Sequence, residues 1–178
     1  MYYTGVALPG FPDEMLTIIS DTASRLAQMG FILRTGFDDG GWVAFWNPVE
    51  LCNRYEYISV ENVTKRELNI AKNYFIARDR LAWDCMDDRK KNRYARNVAL
   101  LLGRSIPIRS KFLLCWTPNG AESAIHCSGL NGTTGYVGFF ITIARANKIP
   151  VINLHRKNWE TKLDKILAKI EKRAVVRV

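Results

Sequence analysis

The most constraining feature of the sequence is an alternation of apolar and glycine-bearing segments between Lys111 and Leu154. An apolar run follows Lys111 and breaks at Pro118-Asn119-Gly120. A polar loop ending in Asn131-Gly-Thr-Thr-Gly135 comes next, and an apolar segment then leads into a second strand-like run, Ile149 to Leu154. This order predicts a strand, a loop, a helix and a second strand parallel to the first. The N–H groups of such a loop, with the N-terminus of the following helix, form a natural site for an anion.

The remainder of the chain shows the same alternation. We predict further strands at residues 2–6, 31–34 and 55–60, and helices at 13–29, 64–80, 88–102 and 157–173. Another helix is expected to start between Gly40 and Trp46 and to be interrupted at Pro48, with Trp83-Asp84 in a connector. Alternating strands and helices favour an α/β fold. The expected architecture is a single three-layer Rossmann-like domain with a mostly parallel sheet, covering residues 1–178.

The formal net charge of +9 is the strongest signal in the composition. It favours a partner that carries phosphate or acidic groups, although the basic residues of the C-terminal helix are expected to form a solvated face. No window resembles a membrane span, and the first residues lack the features of a signal peptide. We therefore expect a cytoplasmic protein without a membrane partner. The four cysteines form no CxxC pair and there are two histidines, so we expect no metal and no cofactor.

Ligands of open α/β sheets bind at the carboxyl ends of the strands. Small and polar residues gather at these ends in the predicted fold, where backbone could approach a phosphate closely. The residues expected to bind a ligand follow the first strand, the second strand, the strand after Lys111 and the glycine loop. They are Gly5, Arg34, Thr35, Gly36, Asp39, Gly40, Trp116, Thr117, Gly132, Thr133, Thr134 and Gly135.

Several of these residues also have a structural interpretation. One of Asp38 and Asp39 is expected to cap the helix that begins near Gly40. For Arg34, a phosphate contact and a surface ion pair are equal alternatives, and Trp116 could stack on a base or pack in the core.

The glycine loop and a group of aromatic residues also have both a functional and a structural interpretation. Gly132 to Gly135 could cradle a phosphate or form a plain turn that enters a helix. Phe37, Trp42 and Trp46 could stack on bases, or could form a local core or a protein interface.

Short motifs occur in a consistent order along almost the whole chain. They are Tyr3-Thr-Gly5, Gly30-Phe-Ile-Leu-Arg-Thr-Gly36, Asp39-Gly40 with Ala44-Phe45, Trp83-Asp84, Ala95-Arg-Asn-Val98, Leu102-Gly103, Ser110 to Gly120, Gly132-Thr-Thr-Gly135, and Ile143-Ala144 with Ile149 to Leu154. In this order the chain resembles phage DprA-like proteins, of the Rossmann-like superfamily that joins the SMF/DprA recombination mediators with the LOG phosphoribohydrolases (SLOG). The resemblance implies a nucleotide- or nucleic-acid-binding pocket built from the glycine loops. It also implies a structural or ligand-contacting role for Arg96 and Asn97, although an arginine on a helix face is usually solvated.

The chain departs from that family at positions that would form the pocket. Gly5-Val-Ala-Leu-Pro9 stands where the family has a Gly-Ser-Arg turn, and Phe37 and Trp42 replace a glycine and an aspartate of the second loop. The LOG-type glycine motif is followed by a catalytic glutamate, whereas no acidic residue occurs here between Gly135 and His155. The resemblance therefore implies that this general acid/base has been lost.

Taken together, the sequence favours a protein that binds a nucleotide or a nucleotide derivative without turnover. The resemblance suggests a phage protein that sequesters a nucleotide signal in the host cytoplasm. One alternative is a DprA-like mediator that binds single-stranded DNA, and another is a structural or interaction protein whose pocket has degenerated. A nucleotide hydrolase that uses Asp39 in place of the lost glutamate is a further alternative. A homo-oligomer is compatible with each of them.

Overall fold

The structure is a computed structural model that describes residues 1–36, 40–50, 52–76, 80–104, 108–127 and 133–175. Short 3₁₀ turns in these ranges occupy Gly40–Trp42, Val60–Asn62 and Ala124–His126. The strands and α-helices are, in chain order, β1 (Tyr2–Ala7), α1 (Asp13–Gln28), β2 (Ile32–Thr35), α2 (Val43–Glu50), β3 (Tyr55–Tyr57), α3 (Lys65–Ile76), α4 (Arg80–Asp84), α5 (Asp88–Leu102), β4 (Leu113–Trp116), α6 (Val137–Ala146), β5 (Val151–Asn153) and α7 (Trp159–Val175).

The described strands form one sheet in the order β3-β2-β1-β4-β5, and every neighbouring pair is parallel. The central strand is β1, in which Tyr3 pairs with Leu33 of β2 and Val6 pairs with Cys115 of β4. The chain runs outward from β1 to β3 and then restarts at β4, on the other side of β1. The carboxyl ends of β1 and β4 therefore flank the topological switch point, where sheets of this kind bind ligands. The predicted three-layer α/β fold with a mostly parallel sheet is confirmed.

Helices cover both faces of the sheet, and each face has its own core. Tyr3 and Ala7 of β1 pack in one core with residues of α1, α2 and α7. Val6 lies in the other core, with residues of α3, α5 and α6. Because both faces are covered, residues 112–116 are all buried, which explains their uninterrupted apolar sequence.

Helices α1 and α5 begin and end within one residue of their predicted limits. Gly30 follows α1 with a φ of 81°, the left-handed conformation that glycine adopts most readily at a helix end. At the start of α5 the Asp87 side chain accepts a hydrogen bond of 2.7 Å from the Lys90 N–H. This bond lowers the pKa of Asp87.

The prediction that Pro48 interrupts its helix is wrong, because Pro48 lies inside α2. A proline near the C-terminal end of a short helix removes only one backbone hydrogen bond. Burial of Ala44, Phe45 and Val49 against the sheet holds the helix together through that position.

The prediction that Trp83-Asp84 forms a connector is also wrong, since both residues belong to α4. The ring of Trp83 packs against Phe75, with ring centroids 5.5 Å apart, and this contact anchors the short helix on α3. Strand β3 ends at Tyr57, earlier than predicted. The structure describes the first part of the predicted 64–80 helix as α3, and residues 77–79 lie outside the described ranges.

The basic C-terminal helix has the solvated face that the sequence predicts. In α7, Leu163 and Leu167 are buried in the core while Lys165 and Lys169 are exposed. Among the described helices, none has the length and apolar character needed to cross a lipid bilayer.

Gly5, in the middle of β1, is required by the close approach of α2. A Cβ atom at this position would lie 2.7 Å from Cδ1 of Phe45 and 2.9 Å from Cδ1 of Leu33. We predict that Gly5→Ala lowers the free energy of unfolding by about 1–3 kcal/mol, because the extra methyl group overpacks the core. Urea denaturation measures this. The same substitution should cost clearly less in a Phe45→Leu background, and an equal cost in both backgrounds would contradict the packing explanation.

Candidate functional site

Three loops meet at the carbonyl group of Ala7, the last residue of β1. The hydroxyl group of Tyr136, from the turn before α6, donates a hydrogen bond of 2.7 Å to the Ala7 oxygen. Gly41, from the turn after β2, approaches so closely that a Cβ atom there would lie 2.1 Å from the same oxygen. The Leu8 N–H donates to the Trp116 carbonyl at 3.4 Å, which ties the loop after β1 to the end of β4. The loops that would surround a ligand bound at the switch point therefore contact one another.

The described part of the glycine loop packs against the loop after β1. Gly135 has a φ of 45°, and a Cβ atom on it would lie 2.8 Å from Cδ2 of Leu8. Thr134 is fully buried and its carbonyl accepts a hydrogen bond from the Gly138 N–H at 3.1 Å, whereas Thr133 is exposed. Leu8 thus fills the space beside the turn that was predicted to cradle a phosphate, and the predicted Gly132 lies outside the described residues.

A small cavity remains next to these contacts, at the carboxyl ends of β1 and β2. It has a volume of about 20 Å³, and by that measure one water needs about 10–15 Å³. Its walls combine glycine backbone with polar and aromatic side chains. The residues that line it are Gly5, Val6, Thr35, Gly36, Trp42, Arg96, Leu100, Tyr136 and Phe140. The structure therefore brings Gly5, Thr35 and Gly36 together as the sequence predicted, around a space that holds about one water.

Arg96 of α5 supplies the charge in this cavity. Its side chain is only 5% exposed, and its Nη2 donates a hydrogen bond of 2.9 Å to Oδ1 of Asn97. The guanidinium group lies directly against Gly36, where a Cβ atom would be 2.9 Å from Cδ, Nε and Nη1 of Arg96. Thr35 is 1% exposed, and its Oγ1 has no hydrogen-bond partner among the described residues. A buried cation and a buried hydroxyl group thus lie at the carboxyl edge of the sheet.

Arg96 was not in the set of residues expected to bind a ligand at the strand ends, although the resemblance implied a structural or ligand-contacting role for it. Residues 94–102 of α5 are all buried, so Arg96 does not lie on a solvated face. The signal that could have placed it in the interior is the apolar character of residues 98–102, which leaves this helix end without a polar face.

The side chain of Arg34 is bound by residues outside the cavity. Its Nε donates to Oε2 of Glu56 at 2.8 Å, its Nη1 donates to the Ile108 carbonyl at 2.6 Å, and the guanidinium carbon lies 3.9 Å from the centre of the Tyr2 ring. The Arg34 side chain is 4% exposed and the Glu56 side chain 33% exposed, so the ion pair is half-buried, with the arginine on its inner side. Of the two alternatives for Arg34, the structure places it in the ion pair.

Trp116 lies in the core on the α1 and α7 face of the sheet. Its ring makes edge contacts with Phe11 and His155, with centroids 6.1 and 6.2 Å away, and it is 5% exposed. Burial at the end of β4 favours the packing interpretation of this residue.

Thr117 belongs to a hydrogen-bond network around Asn153, at the carboxyl ends of β4 and β5. Nδ2 of Asn153 donates to Oγ1 of Thr117 at 2.7 Å and to the Ala121 carbonyl at 2.8 Å. Oδ1 of Asn153 accepts from the N–H groups of Thr117 and His155, at 3.4 and 3.1 Å. The amide of Asn153 is therefore satisfied on both sides by the protein itself.

Glu122 extends the network to the edge of the sheet. Its Oε1 accepts a hydrogen bond of 2.9 Å from the Asn153 N–H, and its Oε2 lies 2.5 Å from Nζ of Lys162. The carboxylate thereby covers the edge of β5 and links it to α7.

Two of the other predicted ligand residues follow β2. Gly40 begins the 3₁₀ turn Gly40–Trp42, while Asp39 lies outside the described residues, together with Phe37 and Asp38. Within the described ranges, no group of three or more histidine, cysteine, aspartate or glutamate side chains is arranged to hold a metal ion.

Comparisons of the chain with protein-family models, with curated proteins and with solved structures found no match. The fold and the residues around the cavity therefore carry the functional argument.

Asn153 should be essential for the stability of the β4–β5 end of the sheet. We predict that Asn153→Ala lowers the free energy of unfolding by about 1–3 kcal/mol, because it leaves the Thr117 N–H and the Ala121 carbonyl buried without their hydrogen-bond partner. Asn73→Ala is the matched control, since Asn73 is exposed on α3 and its loss should change stability by less than about 0.5 kcal/mol. Equal effects of the two substitutions in urea denaturation would contradict the network.

Proposed function

We propose that the protein binds a nucleotide or a nucleotide derivative without turnover, with a phosphate group of the ligand beside Arg96. The observation that carries this proposal is the position of a buried arginine at the carboxyl edge of the sheet, beside the ends of β1 and β2, against Gly36 and in the same cavity as Thr35. Ligands of open α/β sheets bind at this edge.

The chemistry of these groups suits a phosphate. The planar guanidinium group of arginine presents donors in a fork that matches phosphate oxygens, and such charge-assisted bonds are the strong ones. The Thr35 hydroxyl group adds a donor that has no partner among the described residues. Gly36 has no side chain, so backbone and guanidinium could approach the same oxygen atoms.

The described lining of the cavity supplies groups that bind an anion, and Asp39, the residue of the hydrolase alternative, lies outside the described residues. The described residues that line the cavity include no carboxylate and no imidazole group. Proton transfer at a nucleotide would need such a group within hydrogen-bond reach.

The cavity must widen to admit a nucleotide. The space beside Gly135 is filled by Leu8, and Tyr136 reaches across to Ala7. Both side chains belong to loops at the carboxyl edge of the sheet, which can move without disturbing the strands.

The order and spacing of the sequence motifs lead us to propose also that the chain is a divergent phage DprA-like protein. The central position of β1 in the sheet and the glycine loops at its carboxyl edge are compatible with that origin. A nucleotide held without turnover would allow such a protein to sequester a nucleotide signal in the host cytoplasm.

The second candidate function is that of an interaction protein whose pocket has been filled. It is favoured by the close contacts of Phe45 with Gly5 and of Leu8 with Gly135, because these side chains occupy space at the two glycines. On this alternative the cavity would stay at about its present volume of 20 Å³ and no nucleotide would bind.

Ligand-dependent melting distinguishes these functions. We predict that at least one member of a panel of nucleoside monophosphates, nucleoside diphosphates and ADP-ribose raises the melting temperature, because a ligand that binds only the folded state stabilises it. A panel without any shift would contradict nucleotide binding and favour the interaction protein. Binding of an oligothymidylate at two salt concentrations tests the alternative of a single-stranded DNA-binding mediator. Single-stranded DNA binding should weaken steeply as the salt concentration rises.

Substitution of Arg96 tests the location of the site. We predict that Arg96→Met weakens binding of the active nucleotide by about ten- to hundredfold, the effect of losing a charged hydrogen bond. Arg96→Lys keeps the charge but not the fork, and should also weaken binding. Arg89→Met is the matched control, because Arg89 is exposed on the same helix. Equal affinities of the Arg96 and Arg89 variants in isothermal titration calorimetry would place the ligand elsewhere.

A further inference from the structure

Exposed basic side chains lie at the amino-terminal edge of the sheet, on the side opposite to the cavity. Because the described strands are all parallel, the residues that precede them share this edge. Arg54 comes directly before β3, Lys111 precedes β4 and Lys148 precedes β5, and all three are exposed. Together with Arg109, which is also exposed, they form a basic edge.

Backbone hydrogen bonds fix two of these residues beside the central strands. The Lys111 N–H donates to the Tyr2 carbonyl at 2.7 Å, and the Arg54 carbonyl accepts from the Leu33 N–H at 2.8 Å. Burial, and then the positive charges of Lys111 and Arg54, lower the pKa of the Met1 amino group. Lys111 and Arg54 therefore lie on either side of the start of β1, close enough to act on the same group.

The other two residues of the basic edge meet at the starts of β4 and β5. Nη1 of Arg109 donates a hydrogen bond of 3.3 Å to the carbonyl of Asn147, the residue before Lys148. The Leu113 N–H donates to the Pro150 carbonyl at 2.8 Å, which fixes the two strand starts side by side. Three of the four cations thus lie at this end of the edge.

Few acidic side chains offset these charges. Glu122 is the one acidic residue in the sequence between residues 88 and 160, and it covers β5 near its carboxyl end. On the β3 side, Glu56 is bound to Arg34, and Glu50 is exposed at the end of α2. The positive charge is therefore least offset at the starts of β4 and β5.

Helix dipoles account for only part of this arrangement. Cations are favourable near helix C-termini, and Lys148 and Arg54 follow the ends of α6 and α2. Lys111 and Arg109 lie well beyond the end of α5 at Leu102, outside the last turn to which this effect is limited. These two charges need another explanation.

The length of the edge suits a polyanion. Neighbouring strands lie about 4.8 Å apart, so the five strands of the sheet span about 19 Å. A DNA duplex carries one phosphate charge per about 1.7 Å of its axis, which gives about eleven charges over that distance. A single phosphate group would meet only part of the row.

The aromatic residues at this edge favour a duplex over a single strand. Proteins that bind single strands stack the bases on aromatic side chains. Here Phe31 and Phe112 are buried, the Tyr2 ring lies 3.9 Å from the guanidinium carbon of Arg34, and the Tyr55 ring makes an edge contact with an indole ring of α2. Phosphates, rather than bases, are therefore the groups that the exposed side chains of this edge can bind.

We propose that the basic edge binds the sugar–phosphate backbone of a nucleic-acid duplex without reading its sequence. Contacts to phosphates position a protein on a duplex and carry no sequence information directly. The surface lies at the end of the sheet opposite to Arg96, so it is independent of the proposed nucleotide function.

Fluorescence anisotropy with a labelled DNA duplex of random sequence, between about 50 and about 200 mM salt, tests this proposal. The triple variant Arg54→Gln, Lys111→Gln, Lys148→Gln removes three exposed charges. It should reduce the slope of log affinity against log salt by about 2.7, since each phosphate contact contributes about 0.9. Over that range of salt the variant should therefore lose about fortyfold less affinity than the wild-type protein.

The matched control is the triple variant Arg89→Gln, Lys90→Gln, Lys157→Gln. It removes the same types of charge from exposed residues at the start of α5 and before α7, on the carboxyl side of the sheet. Its slope should stay close to that of the wild-type protein. Because all six residues are exposed, both variants should keep the melting temperature of the wild-type protein.

Three results would overturn the proposal. The first is the absence of duplex binding by the wild-type protein at about 50 mM salt. The second is an equal loss of slope in both triple variants, which would show a response to net charge alone. The third is a preference for another partner, seen either as tighter binding of the single strand of the same sequence or as binding of phosphatidylserine vesicles without binding of the duplex.

Discussion

The organisation of the carboxyl edge depends on the crowding of three loops around the carbonyl group of Ala7. Tyr136 donates a hydrogen bond to this oxygen, and Gly41 passes so close that no side chain would fit. Leu8, the next residue, fills the space beside Gly135. In a parallel sheet the ends of neighbouring strands lie only about 5 Å apart, so the loops that leave them either diverge around a ligand or pack on one another. Here they pack on one another.

Arg96 places a buried positive charge at this closed edge of the sheet. Arg96 is only 5% exposed as a residue, and burial of a charge is unfavourable unless polar groups surround it. Asn97, Gly36 and the Thr35 hydroxyl group provide part of that polar environment. The other arginine predicted for the site, Arg34, is instead bound by Glu56 and the Ile108 carbonyl. The guanidinium group of Arg34 is held in this ion pair, and Arg34 is not among the residues that line the cavity.

The order of strands and helices could be predicted because the spacing of apolar residues, and the residues typical of helix and strand ends, depend on local structure. Helix α5 shows this best, since it was predicted at residues 88–102 and ends as predicted before Gly103. Pro48 was misjudged because packing of α2 on the sheet outweighs one missing hydrogen bond. At the site, Thr35 and Gly36 lie at the carboxyl end of β2 as predicted, whereas Gly5 lies inside β1, which continues to Ala7. The contacts of Leu8 and Tyr136 could not be predicted, since they join residues far apart in the chain and depend on side-chain size.

We propose that a ligand phosphate binds beside Arg96, at the carboxyl ends of β1 and β2. Chemical-shift mapping by NMR, with the nucleotide added to isotopically labelled protein, tests this most directly. If the phosphate binds there, the largest shifts will occur at the backbone amides of Gly36 and Tyr136 and at the Nε–H signal of Arg96. Shifts concentrated on the exposed lysines of α7, with these signals unmoved, would contradict it.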